Sequence, residues 1–229
     1  MKGLDIDSLA RRTAQDIPAG ACVNLGIGMP TALGPYLPHA ICHSENGILG
    51  MAPLDGEVDP DLINASKQPV SLAPGGSFFD HATSFAMIRG GHIDISVMGA
   101  YQVSVAGDLA NWSVDTDDAM PAVGGAMDLA VGAKRVIVIM RHVARDGAPR
   151  LVMQCTYPIT ARGVVTRVYT DLAVMTVAAG AFVLEECAHG VVLEDVQAAT
   201  GAPVIPAATE PVTATAASHV ELDLSGGLR

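Results

Sequence analysis

The segment Arg135-Val136-Ile137-Val138-Ile139-Met140 constrains the fold more than any other stretch of this chain. Four consecutive β-branched residues favour an extended backbone, because two heavy atoms on Cβ crowd the preceding turn of a helix. A half-exposed strand alternates apolar and polar residues, and this one does not. A strand without a polar side has to be covered on both faces. That is the situation of an inner strand in a parallel sheet flanked by helices.

The rest of the chain supplies matching parts. Ala21 to Leu25, Ile41 to His43 and Ile93 to Met98 read as further short buried strands. Helices are predicted over Ile6 to Gln15, with Asp5 or Asp7 as cap, and over Phe78 to Arg89, stopped by Gly90-Gly91. Two more are predicted over Ala126 to Ala133, opened by Gly124-Gly125, and over Leu193 to Thr200. Pro30 opens a short helix. Leu172 to Val177 and Phe182 to Leu184 form a hairpin around Ala178-Ala179-Gly180-Ala181. The expectation is an α/β fold, an open, mainly parallel sheet flanked by helices, with residues 1–209 as one domain. From Glu210 the chain is rich in Ala, Thr and Ser, so residues 210–229 are expected to form a poorly ordered C-terminal tail.

Composition removes several function classes. Half of the 229 residues are hydrophobic and 16% are charged, which argues for a real core and against disorder. The net charge of −11 repels a phosphate backbone, so nucleic-acid binding is not expected. Lys2, Lys67 and Lys134 are the only lysines, so a phosphate-bearing ligand would need positive charge from elsewhere. Cys22, Cys42, Cys155 and Cys187 form neither a CxxC pair nor a zinc spacing, and read as buried thiols in a reducing compartment. The seven histidines show no ligand spacing, so no metal is assigned. No apolar run reaches about 18 residues and the start of the chain is acidic, so no membrane span or signal peptide is expected, and the location should be cytoplasmic.

Three loops carry candidate chemistry. Ser44-Glu45-Asn46-Gly47 follows a short strand, and a carboxylate at a strand's carboxyl end sits where α/β proteins bind ligands. Gly26-Ile27-Gly28 also follows a strand and precedes a helix, where backbone amides can approach an anion. It lacks the third glycine of the dinucleotide fingerprint, so a Rossmann site is rejected. Gly124-Gly125 opens a helix, and its amides suit a developing oxyanion. On residue chemistry alone, a solvated polar turn and two tight structural turns fit these loops as well. Trp112, the lone tryptophan, reads as a core anchor.

Taken in order, the segments resemble the β subunit of family I 3-oxoacid CoA-transferases. The resemblance is carried by Asn24-Leu25-Gly26-Ile27-Gly28-Met29-Pro30-Thr31 and His43-Ser44-Glu45-Asn46-Gly47-Ile48-Leu49-Gly50. It continues through Asp59 to Ala65, Ser84 to Asp94, Gly107 to Trp112, Gly124 to Leu129, Thr170 to Val174 and Ala198 to Pro203. It implies that Glu45 is a covalent nucleophile passing through an acyl anhydride and a glutamyl–CoA thioester, with ping-pong kinetics. It implies Gly26, Gly28, Gly124 and Gly125 as oxyanion or CoA contacts, supported by Ser44, Asn46, Gly47 and Asn111. It further implies coenzyme A as substrate with no tightly bound cofactor, a carboxylic, 3-oxo acid acceptor, and an α-type subunit as hetero-oligomeric partner holding part of the CoA. The chain departs from the family pattern at Met51-Ala52-Pro53-Leu54 and at Ser113 to Asp118, where three aspartates replace a basic, glycine-containing segment. An acyl-CoA hydrolase on the same scaffold, or a non-catalytic subunit with an altered substrate loop, are the alternative readings.

Overall fold

The computed structural model describes residues 3–114, 122–178 and 180–208, and the backbone of Val212 and Thr213. Its strands are β1 (Cys22–Leu25), β2 (Ile41–Ser44), β3 (Ile48–Ala52), β4 (Ser71–Phe78), β5 (Ile95–Met98), β6 (Gln102–Ser104) and β7 (Leu109–Ala110). They continue with β8 (Arg135–Met140), β9 (Leu151–Val152), β10 (Val165–Thr170), β11 (Ala173–Ala178), β12 (Ala181–Cys187), β13 (Val204–Pro206) and β14 (Val212–Thr213). The helices are α1 (Ile6–Ala14), α2 (His81–Arg89), α3 (Ala126–Gly132) and α4 (Leu193–Ala199), with a 3-10 helix over Met29–Tyr36.

The main sheet runs β13-β12-β11-β10-β8-β5-β1-β2-β3-β4, with β14 beside β12. Its middle, from β10 through β8, β5 and β1 to β2, is parallel throughout. The β-branched strand β8 lies inside this run, and Val136 to Met140 are at most 2% exposed. Its side chains divide between two cores. Val136, Val138 and Met140 pack on one face with Phe85, Ile88 and Leu129 from α2 and α3. Ile137 and Ile139 pack on the other with Leu9, Ala10 and Leu33 from α1 and the 3-10 helix. Each fully buried aliphatic side chain stabilises the fold by about 1.5–3 kcal/mol relative to exposure. The helices are therefore fixed on both faces by the strand that most constrains the sequence.

Antiparallel strands extend the sheet at both ends. Strands β2, β3 and β4 pair antiparallel, as do β10, β11 and β12. The β11–β12 hairpin follows the sequence expectation. Strand β4 does not, because Pro74, Gly75 and Gly76 argue against a strand. It is tolerated as the edge strand, and much of it is exposed. A small second sheet, β7-β6-β9, stands apart from the main one.

Local chemistry sets the helix starts. The Asp5 carboxylate accepts from the Ser8 amide at 2.7 Å and caps α1. The Asp80 carboxylate accepts from the Thr83 amide at 2.8 Å. That cap moves the start of α2 to His81, three residues beyond the expected Phe78, which closes β4 instead. In the expected C-terminal tail, Val212 and Thr213 pair parallel with Glu186 and Cys187, and the remainder of 210–229 lies outside the described residues. Among the described residues, no helix is long and apolar enough to cross a membrane.

Candidate active site

Strand β2 ends at Ser44 and β3 starts at Ile48, and these two residues pair, so Glu45, Asn46 and Gly47 form the hairpin loop between them. The Gly47 amide donates to the Ser44 carbonyl at 3.0 Å. Gly47 has φ 109°, where side chains are strongly disfavoured, and an added Cβ would lie 2.1 Å from the Phe79 carbonyl oxygen. The Phe79 amide in turn donates to the Gly47 carbonyl at 3.0 Å. The Asn46 side chain is tied away from the loop, donating to the Ile63 carbonyl at 2.8 Å. Ser44 is fully buried, and its hydroxyl has no partner among the described residues.

Glu45 is thereby directed into a cavity of about 220 Å³. Gly26 and Ile27 from the end of β1, Met98 and Gly99 from the end of β5, Asn111 beyond β7, and Gly124 and Gly125 before α3 share its wall. The cavity thus opens at the carboxyl ends of the parallel strands, where the strand direction collects loops. Asn111 is held in place by Thr160, whose hydroxyl donates to its side-chain oxygen at 2.6 Å. Contact between Glu45 and Gly125 is close: a Cβ on Gly125 would sit 3.0 Å from Glu45 Oε2 and 2.6 Å from Phe85 Cζ. The missing side chain of Gly125 is the space the carboxylate uses.

Three sequence expectations differ from the structure. Gly28 does not join the Glu45 cavity. It has φ 84°, its amide donates to the Ser66 hydroxyl at 2.9 Å, and it faces a separate groove with Met29, Thr31 and Gln68. Gly26 does line the cavity, yet its amide donates to the Val97 carbonyl at 3.0 Å. Neither amide points free into the Glu45 cavity: strand-end pairing takes up that of Gly26, and the Ser66 side chain that of Gly28. Gly124 and Gly125 are the glycines next to the carboxylate. Trp112 is half-buried rather than a core residue. Asp115–Asp118 lie outside the described residues; the chain resumes at Ala122 and Val123, which line the cavity.

Burial raises the Glu45 carboxyl above the usual glutamate range, and the nearby His81 pulls in the opposite direction. His81 opens α2 and rests against Phe85, with ring centroids 4.6 Å apart. If Glu45 reacts as a carboxylate, lowering the pH protonates it and removes activity. The acid limb of kcat/KM should then fall above the ordinary glutamate value of about 4.3, and His81→Ala should move it to higher pH. A pH–rate series on both proteins checks the direction; an unmoved limb in the variant would show that His81 has no influence on the reacting group.

Sequence reasoning missed His43, Ser84, Phe85 and His81. His43 is fully buried on β2, bonded through Nδ1 to Asn24 at 3.0 Å and through Nε2 to Ser84 at 3.1 Å. The available signal was a pair of polar residues, Asn24 and His43, inside segments that otherwise read as buried strands. Among the described residues, no group of three or more His, Cys, Asp or Glu side chains is arranged to hold a metal.

Comparison with known proteins places this site in context. Residues 6–199 match the family model described as Coenzyme A transferase. Two B subunits of named transferases are similar over most of their length. That of the 3-oxoadipate CoA-transferase of Acinetobacter baylyi is 51% identical over 206 residues, covering 88% of this chain and 95% of that protein. That of the Succinyl-CoA:3-ketoacid coenzyme A transferase of Helicobacter pylori is 45% identical, over 86% of this chain and 96% of that protein. The fold matches an acyl-CoA transferase (YdiF) of Escherichia coli O157:H7 with a TM-score of 0.72 at 19% identity, over 93% of this chain and 44% of that one. It also matches the decarboxylase AibA/AibB with a TM-score of 0.65 at 18% identity, over 91% and 88% of the two chains, so the fold alone does not fix the reaction. The extent of the family match and the identity to the B subunits do: this chain belongs to the coenzyme A transferase family, as a CoA-transferase subunit of the 3-oxoacid, B type.

Proposed function

We propose that this subunit moves CoA between a short acyl-CoA and a 3-oxo acid, with Glu45 as the covalent carrier. The observation that carries the proposal is the half-buried Glu45 carboxylate held against Gly125 in the wall of the cavity. A carboxylate is a weak nucleophile in water, and partial removal from solvent makes it more reactive.

A Glu45 carboxylate oxygen attacks the thioester carbonyl, the C–S bond breaks, and CoA leaves as a thiolate with an acyl–glutamyl anhydride behind it. The thiolate then attacks the Glu45 Cδ carbonyl and expels the acyl group as a carboxylate, leaving a glutamyl–CoA thioester. The acceptor carboxylate attacks the same Cδ and releases the thiolate. The thiolate finally attacks the acceptor's carbonyl and restores the Glu45 carboxylate. One thioester or anhydride bond is present after every step, so the activation is passed on and no external energy source is needed. Each tetrahedral intermediate bears an oxyanion, and one well-placed backbone donor is worth about 10²–10³ in rate. The backbone beside Glu45 at Gly124 and Gly125 is the part of this chain that suits the role.

The relatives are named as B subunits, and an α-type partner is the companion this reading requires. With three lysines and a net charge of −11, the chain offers little to neutralise the CoA phosphates, which favours a partner that supplies part of that field. Four free cysteines suit a reducing, cytoplasmic setting. The acceptor to test first is 3-oxoadipate, the acid in the names of relatives 51–53% identical to this chain.

The test is CoA exchange over a panel of acids, with this subunit alone and mixed with an α-type subunit. Transfer to 3-oxo acids in the mixture and none from the single subunit is the expected result. Full transfer by the single subunit would remove the partner. Release of free CoA faster than transfer to every acid would make the enzyme a hydrolase.

A further inference from the structure

Beneath the Glu45 turn runs a row of buried polar side chains. Strand register sets Ser96, Asn24 and His43 side by side on β5, β1 and β2, each at most 1% exposed. Polar groups withdrawn from water need partners, yet Asn24 Oδ1 and Ser96 Oγ have none among the described residues. An apolar row would fill the same space at lower cost. Stability therefore does not account for the row, and its position two residues before Glu45 offers another account.

We infer that His43 is a positioning residue for Glu45, holding both the Phe79 segment that seats the Glu45 turn and the helix that carries Phe85 to Gly125. This inference rests on the reading of Glu45 as the nucleophile. The first support is Phe79, whose ring stacks on His43 with centroids 6.0 Å apart and 13° between planes. The main chain of Phe79 is the seat of Gly47, at the far end of the same turn. The second is Phe85, which follows Ser84 on α2 and brings its ring edge to Gly125, the glycine that Glu45 Oε2 also approaches. His43 binds Ser84 directly. The bonding pattern also fixes the ring's state. The Asn24 amide group donates to Nδ1, which leaves the proton on Nε2 to be donated to Ser84. Burial pushes the His43 pKa down to about 4, in keeping with a neutral ring. The groups facing the ring from β1 and α2 are the uncharged Asn24 and Ser84, and the titratable residues nearest to them along the chain include Cys22, Cys42, Glu45, Asp80 and His81.

The experiment compares Ser84→Ala, His43→Asn and His43→Gln in the two-subunit enzyme. It reads the first-order rate of thioester formation on Glu45 in a single turnover, the KM for acyl-CoA, and the thermal midpoint. Asn keeps an acceptor near the Nδ1 position but cannot reach Ser84, whereas Gln extends to it. Ser84→Ala and His43→Asn should slow thioester formation by about 10–100-fold, since small displacements of a reacting group cost that much. KM should stay within about threefold, because the lost interaction serves the reaction rather than binding. His43→Gln should recover most of the rate. An unchanged rate per active site in Ser84→Ala overturns the inference, as do equal losses in Asn and Gln that merely follow the thermal midpoint. If the His43 variants fail to fold, Ser84→Ala alone decides. Failure of the Glu45 reading itself looks different: the unsubstituted enzyme would then form no thioester on Glu45.

Discussion

Glu45→Gln should reduce CoA transfer by about 10⁴-fold or more while the subunit still folds and assembles, because losing a covalent nucleophile removes the whole route. Gln is nearly isosteric with Glu, so the Gly125 contact and the turn survive. What disappears is the attacking oxygen anion, since an amide does not form the anhydride. Burial raises the Glu45 carboxyl, so the neutral amide is accommodated without strain, and the thermal midpoint should stay or rise slightly. Glu45→Asp keeps the charge and withdraws it by one methylene. A misplacement on the order of 1 Å costs about 10²-fold, so Asp should fall between wild type and Gln. Steady-state rates and melting curves for the three proteins check this ordering. Near-normal turnover in Glu45→Gln would return Glu45 to the status of an ordinary turn residue.

Gly47→Ala should damage both stability and activity well beyond the backbone strain that Gly28→Ala alone carries. Both glycines have positive φ, 109° and 84°, so each Ala carries backbone strain of about 1–2 kcal/mol. They differ in what the new methyl meets. At Gly28 nothing lies within 4 Å. At Gly47 the methyl would lie 2.1 Å from the Phe79 carbonyl oxygen, which is backbone and cannot swing aside. The hairpin loop and the start of α2 would have to separate, adding about 1–3 kcal/mol of overpacking and displacing Glu45. Activity should fall by about 10²-fold or more. Gly125→Ala provides a third case: its methyl meets Glu45 Oε2 at 3.0 Å and the tip of the Phe85 ring at 2.6 Å, so activity should fall with a smaller loss of stability. Denaturant melts and rates on the three variants separate these outcomes. A Gly47→Ala protein as stable and active as Gly28→Ala would contradict the packing described at Phe79.

Much of the fold was legible because burial and period leave few choices. An unbroken β-branched run such as Val136 to Ile139 fits only an inner strand, and Asp5 before Ile6 reads directly as a cap. Strands β3 and β4 were not legible, since Gly50, Pro74 and Gly76 mask a strand that only edge pairing permits. Strand β10 was missed because Thr166 and Arg167 interrupt its apolar pattern. Within the site, the Ser44–Gly47 turn and Gly125 could be located from sequence because the turn and the helix start are local features. The fate of the Gly26 and Gly28 amides could not. They bond to Val97 and Ser66, residues 71 and 38 positions away, and no local pattern encodes such pairings. The same holds for His43 and Ser84, brought together by the packing of α2 on the sheet.

The most direct test of the central claim is mass spectrometry of the assembled enzyme after exposure to acyl-CoA without an acceptor acid. Borohydride or hydroxylamine then traps any activated ester. The account predicts a peptide containing Ser44-Glu45-Asn46 whose modification maps to the Glu45 carboxyl, present in wild type and absent in Glu45→Gln. An unmodified Glu45 peptide in an enzyme that is transferring CoA at its full rate would contradict it.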